Sequence, residues 1–197
     1  MRVIAKNSEK FVTFSILNKR FIDSFQFLSA SLDTLVQNLL TACDDTFDKF
    51  VHTKKFMSVD KLFFQKQVYC YEYMNSFERF QETKLPPKEC FFSRLSNEGI
   101  TDADYEQAQE LWTRLGCKTL QDYHDAYLTL DTLLLADVFE NFRRLGQETY
   151  ELDAAHYVTG PGFCWDACLK YTGVTLDLIT DPEMHLFIES GIIAERE

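Results

Sequence analysis

The sequence predicts a mixed α/β fold in which helices dominate, on three observations. Residues 11–17 alternate apolar and polar, pass a turn at Asn18 and Lys19, and run on into an apolar stretch over 21–28, the pattern of a β-hairpin. Two later stretches begin at Thr101 and Thr119, each with an aspartate three residues on in capping-box spacing and apolar residues at helical period behind it. The composition, 46% hydrophobic and 15% aromatic with 7 Gly and 4 Pro in 197 residues, is that of a chain able to bury a core.

After the hairpin, Ser29 or Ser31 can cap a helix in "SLDTLVQNLLTAC", where Leu32, Leu35, Val36, Leu39 and Leu40 share one face. Residues 43–65 show no clean period. The aromatic segment 69–92 is broken by Pro86-Pro87, which forces extended structure, and reads as a long ordered excursion. The helix begun at Thr101 should end at Gly116, a suitable C-terminal cap. The one begun at Thr119 should run to about Gln147. Its middle, "LTLDTLLLADVF", is apolar nearly all round, which predicts packing on more than one side. A loop, a helix over about 163–172, a strand-like "VTLDLI" and a helix capped by Asp181 with Pro182 at its first position complete the chain.

Composition excludes several classes. No apolar run approaches the roughly 20 residues needed to span a bilayer, and "MRVIAKNSEK" lacks the apolar core of a signal peptide. A protein without membrane partners, intracellular in nucleus or cytoplasm, is expected. Six cysteines form no CxxC pair; Cys164 and Cys168, four apart, read as small packed residues, and all six as reduced thiols. Thirty-one acidic against 20 basic residues give a net charge of −11, which argues against a free-standing nucleic-acid binder. It leaves room for carboxylates that hold divalent cations, where the ions supply the positive charge.

One pair of residues raises that possibility. In "YLTLD", Tyr127 and Asp131 stand one helical turn apart on the same face. A carboxylate among leucines needs a hydrogen bond, an ion pair or a metal. By spacing alone, a solvent-facing or capping aspartate is the commoner outcome.

Taken in order, "FIDSFQFLSASLDTLVQNL", "VYCYEYMNSFERFQETKLPPKECFFSRL", "ITDADYEQAQELW", "DYHDAYLTLDTLLLADVFENFR" and "GPGFCWDACLKYTGVTLDLITDPEM" resemble protein-primed family B DNA polymerases, those of Polinton (Maverick) mobile elements and related viruses or linear plasmids above all. The resemblance implies a partial RNase H-like 3′-5′ exonuclease domain over 1–150, helix-rich, followed over 151–197 by the helical lead into a polymerase palm domain. It implies that Tyr127 and Asp131 are the third exonuclease motif: Asp131 a metal ligand, Tyr127 the hydroxyl that orients the attacking water. In the intact family Mg2+ or Mn2+ would be the cofactor, and DNA and a priming terminal protein the partners; in this chain the motif is expected to be vestigial and to hold no cofactor.

The same resemblance defines departures. The family's first motif, Asp-x-Glu on a leading strand, has no counterpart before Phe21, where Glu9 is the only acid. The second motif is missing ahead of "FIDSF", and Asp23 reads as a structural residue. Gln67 and Cys70 stand where relatives tend to have Gly and Pro, and Ile193, Ala194 and Glu195 depart from an Arg-Gly-Gly-like link to the template. No polymerase aspartate motif appears. One metal carboxylate of an expected four remains, so the expectation is a decayed copy, or one piece of a longer polymerase, inactive by itself. The alternative is a non-catalytic module that presents segment 69–92 to a protein or DNA partner.

Overall fold

The computed structural model describes residues 2–5, 11–42, 47–57 and 60–191. Glu9, Cys43, Ile193, Ala194 and Glu195, which figured in the expectations above, lie outside them. The architecture is mixed α/β with helices dominant, as the sequence predicts.

Three antiparallel strands, β1 (Arg2–Ala5), β2 (Phe11–Ile16) and β3 (Lys19–Ile22), form one sheet in that order. The hairpin turn sits at Leu17 and Asn18, with exposed Leu17 at φ +54°. Phe14 and Phe21, paired across β2 and β3, stack at 4.7 Å. β3 is shorter than the apolar run 21–28 implies. The Asp23 carboxylate accepts from the Phe25 N–H at 3.0 Å and the Gln26 side chain at 3.1 Å, which turns the chain into a 3-10 turn, Ser24–Gln26. Asp23 is thus a structural cap. β1, four residues long, was too short to register as a period.

The helices begin where their caps dictate. α1 (Leu32–Thr41) is capped by Ser31, the second of the two candidates, whose hydroxyl accepts from the Thr34 N–H. α2 (Val51–Phe56) follows in the stretch that had no clean period. α3 (Asp102–Arg114) opens on the Thr101/Asp104 capping box and ends ahead of Gly116 at φ +64°. α4 (Leu120–Tyr150) opens on the Thr119/Asp122 box. At 31 residues, it is about 46 Å long.

α4 is the spine. Its residues Leu120, Tyr123, Tyr127 and Leu130 enter one apolar cluster with Leu62, Phe63, Tyr69, Ala108 and Leu111. One turn further, Leu134 and Val138 enter a second cluster with Val36, Phe50 and Phe64. The three-four spacing makes one buried stripe. The apolar middle of α4 also packs on a second side, through Phe139 against Phe27 at 5.8 Å, while Leu128 and Leu135 stay exposed.

Past α4, Glu151 at φ +54° breaks the helix and Arg143 clamps Asp153 through Nε at 2.8 Å and Nη2 at 2.6 Å. That fork, with the Ala155 N–H, holds the Asp153 carboxyl well below its usual range, at about 2. α5 (Gly160–Thr172) then packs back on α4, its Phe163 ring against Phe142, Tyr150 and Gly146. Cys164 and Cys168 are exposed, not packed, because the face of α5 that turns inward is the one carrying Phe163 and Ala167. The strand-like 174–179 is irregular and exposed: alternation alone makes no strand without a neighbour to pair with, and none is present among the described residues. α6 (Pro182–Gly191) is capped by Asp181, whose carboxylate accepts from the Glu183 N–H at 2.9 Å.

The approach of α5 to α4 is set by Gly146. A Cβ there would lie 2.8 Å from the tip of the Phe163 ring and 3.0 Å from the Leu152 carbonyl oxygen. Gly146→Ala is expected to lower stability by about 1 kcal/mol net, since overpacking of about 1–3 kcal/mol exceeds the roughly 1 kcal/mol gain in helix propensity. Paired urea melts read this directly, and an unchanged or higher midpoint would refute it.

Candidate functional site

Tyr127 and Asp131 do share one face of α4, and the face is turned toward the segment that runs from Leu62 to Tyr73. That segment crosses α4 nearly residue by residue. Tyr123 donates its hydroxyl to the Val68 carbonyl at 2.7 Å, the Tyr69 hydroxyl and His124 Nδ1 share a hydrogen bond at 2.7 Å, and the Tyr71 and Tyr127 hydroxyls bond each other. The Tyr69 ring stacks on Tyr127 at 4.7 Å and 26°. Gln67, buried, spans the gap to α3. It donates to the Leu62 and Gln65 carbonyls and accepts from Gln107 at 2.9 Å.

This ladder desolvates its members. Tyr127 is 7% exposed, and burial together with Tyr71 and Asp131 raises its pKa far above the phenol range, so its hydroxyl stays protonated and can donate or accept but not act as a base. Burial likewise pushes Tyr69 up to about 12 and the Cys70 thiol up to about 12. Cys70 is an inert core thiol.

Asp131 is half-buried, and its Oδ1 is completely so, with no hydrogen-bond partner among the described residues. Burial raises its pKa, while the Tyr127 hydroxyl and the Lys66 ammonium act the other way. A buried carboxylate oxygen without a partner is rare in native proteins and costs free energy. The groups acting on it, Tyr127 and Lys66, belong to α4 and to the crossing segment, not to the hairpin sheet. The hairpin is tied to the other end of α4, where Arg20 donates to the Ala155 and Tyr157 carbonyls.

Asp137, the last aspartate of α4, answers differently to burial. It is 1% exposed, yet both carboxylate oxygens are used: Oδ1 accepts from the His52 N–H at 2.7 Å, and Oδ2 from the Thr53 N–H at 2.8 Å and the Thr53 hydroxyl at 2.7 Å. Phe50, at the N-terminus of α2, offers no side-chain cap, so Asp137 caps that helix from a distance. One turn on, Asn141 donates to the Lys49 carbonyl at 2.7 Å. Asp137 and Asn141 are anchors for residues 47–56.

Lys66 and Tyr71 are site residues that sequence reasoning missed. The period-two tyrosines of "YCYEY" are the signal that could have placed them on an extended strip. Among the described residues, no three His, Cys, Asp or Glu side chains gather where they could hold a metal. Comparison with protein-family models, with curated proteins and with solved structures finds no match to this chain.

Proposed function

We propose that this chain is part of a protein-primed family B DNA polymerase and contributes the Tyr-x-x-x-Asp helix of its 3′-5′ exonuclease. The observation that carries the reading is the Asp131 Oδ1, buried and unpartnered, one turn from the Tyr127 hydroxyl. A carboxylate oxygen held that way fits a hard divalent cation such as Mg2+ or Mn2+, which takes oxygen donors. Asp131 is one donor. Two-metal phosphodiester hydrolysis needs several more carboxylates, so no hydrolytic step is assigned to this chain, and DNA and a priming protein enter only as partners of the assembled polymerase. The RNase H-like fold of residues 1–150 and the palm-directed role of 151–197 belong to the same proposal.

Manganese tests it. Mn2+ at millimolar levels should broaden the resonances of Tyr127, Lys66 and their neighbours in the wild-type chain and leave them sharp in Asp131→Asn. Broadening confined to the exposed acids would overturn the assignment. The isolated chain should leave a 3′-labelled oligonucleotide intact with either ion; degradation lost in the Asn variant would show that a second ligand set exists.

Stability gives an independent check. Asp131 has a folded pKa above its unfolded one, so it destabilises the fold only when ionised. Its cost is absent below about pH 4, the unfolded value, grows as pH rises to the folded pKa, and is constant beyond. Asp131→Asn is therefore expected to raise stability modestly at neutral pH and to change nothing in acid. Denaturant melts of both proteins across that range decide it, and a variant less stable at neutral pH counts against the reading.

A second reading is a non-catalytic interaction module, favoured by the exposure of Tyr71, Phe77 and Phe92 within segment 69–92. An absent manganese response would move the balance to it.

A further inference from the structure

From 171 to 191 every residue is exposed, although the stretch holds Val174, Leu176, Leu178, Ile179, Leu186 and Phe187. Apolar exposure of that extent marks a surface made to be covered. α6 has only 10 residues, below the roughly 12–15 at which isolated helices become even marginal in water, so it needs a surface to rest on. The arm 173–191 also carries Asp177, Asp181, Glu183 and Glu189 and no lysine or arginine. It is apolar and acidic.

A groove of the opposite kind lies between α1 and the second half of α4. Its volume is about 440 Å³, and Leu35, Leu39, Val138 and Leu145 line it together with Lys49 and Arg144. Glu148, also in the lining, lies 4.0 Å from Arg144 and takes part of that charge. In this structure the arm does not lie on its own body. We infer that this chain forms a two-fold dimer by arm exchange, the α6 arm of each copy seated in the α1/α4 groove of the other. Such an interface is isologous, closes on itself and uses each apolar surface once. The acidic arm meets Lys49 and Arg144. The inference does not depend on the polymerase reading.

Sedimentation velocity from low to high micromolar protein tests it. The wild-type chain is expected to shift from monomer to dimer over that range. A chain truncated after Gly173 removes only exposed residues among the described ones; it should keep its circular dichroism and remain monomeric. Phe187→Glu in the arm and Leu39→Glu in the groove should each weaken dimerisation at least tenfold. Mixing the two should restore a heterodimer, because the intact arm of one fits the intact groove of the other. A wild-type monomer at every concentration would overturn the inference, whether the arm then folds onto its own groove or awaits another protein. So would a dimer that survives the truncation.

Discussion

Asp137→Ala is expected to cost about 3–5 kcal/mol, since each buried donor left without its acceptor costs about 1–3 kcal/mol and three are orphaned. The substitution strips three hydrogen-bond acceptor contacts from an interior site and leaves the His52 and Thr53 N–H groups and the Thr53 hydroxyl without acceptors. α2, six residues with no other cap, should fray and take Phe50 out of the second apolar cluster. Asp137→Asn keeps the shape but can offer only one acceptor oxygen, so it should cost less than Ala. Urea melts of the two variants separate capping from packing. If Ala and Asn are equally mild, the carboxylate is not what holds residues 47–56.

Tyr123→Ala is the other large effect, also about 3–5 kcal/mol. The ring is completely buried, lies 6.1 Å from Trp112 and 6.4 Å from Tyr69, and its hydroxyl satisfies the Val68 carbonyl. Tyr123→Phe isolates the last of these and should cost about 1–3 kcal/mol for the orphaned carbonyl. The Ala variant should also loosen Tyr69 and Tyr71 against Tyr127, which near-ultraviolet circular dichroism would register as lost aromatic signal. A full-strength signal with a large stability loss would mean that the ladder does not depend on Tyr123.

The local signals were the legible ones. Ser31, Thr101, Thr119 and Asp181 each start a helix because a side-chain acceptor three residues or fewer from the first orphan N–H groups is a chemical fact of the sequence, independent of the rest of the chain. Segment 69–92 was legible only as ordered, since its partners lie some 55 residues away in α4, as Tyr69 to His124 shows. The same distance hid Asp137. A buried aspartate that caps a helix 84 residues earlier has no local signature. Tyr127 and Asp131 were legible as a pair, and their common face followed from helical geometry. What that face would meet did not, because β3 stops at Ile22 and the hairpin goes to the far end of α4.

That last placement bears on how the molecule assembles. Arg20 reaches across 135 residues to the Ala155 carbonyl, closing most of the helical part of the chain into one loop. A closure so long in sequence gives little return until α4 and the turn at 153–156 are already in place. The hairpin should thus be the last unit to dock and the first to detach, a latch whose amides exchange with solvent while those of α4 remain protected.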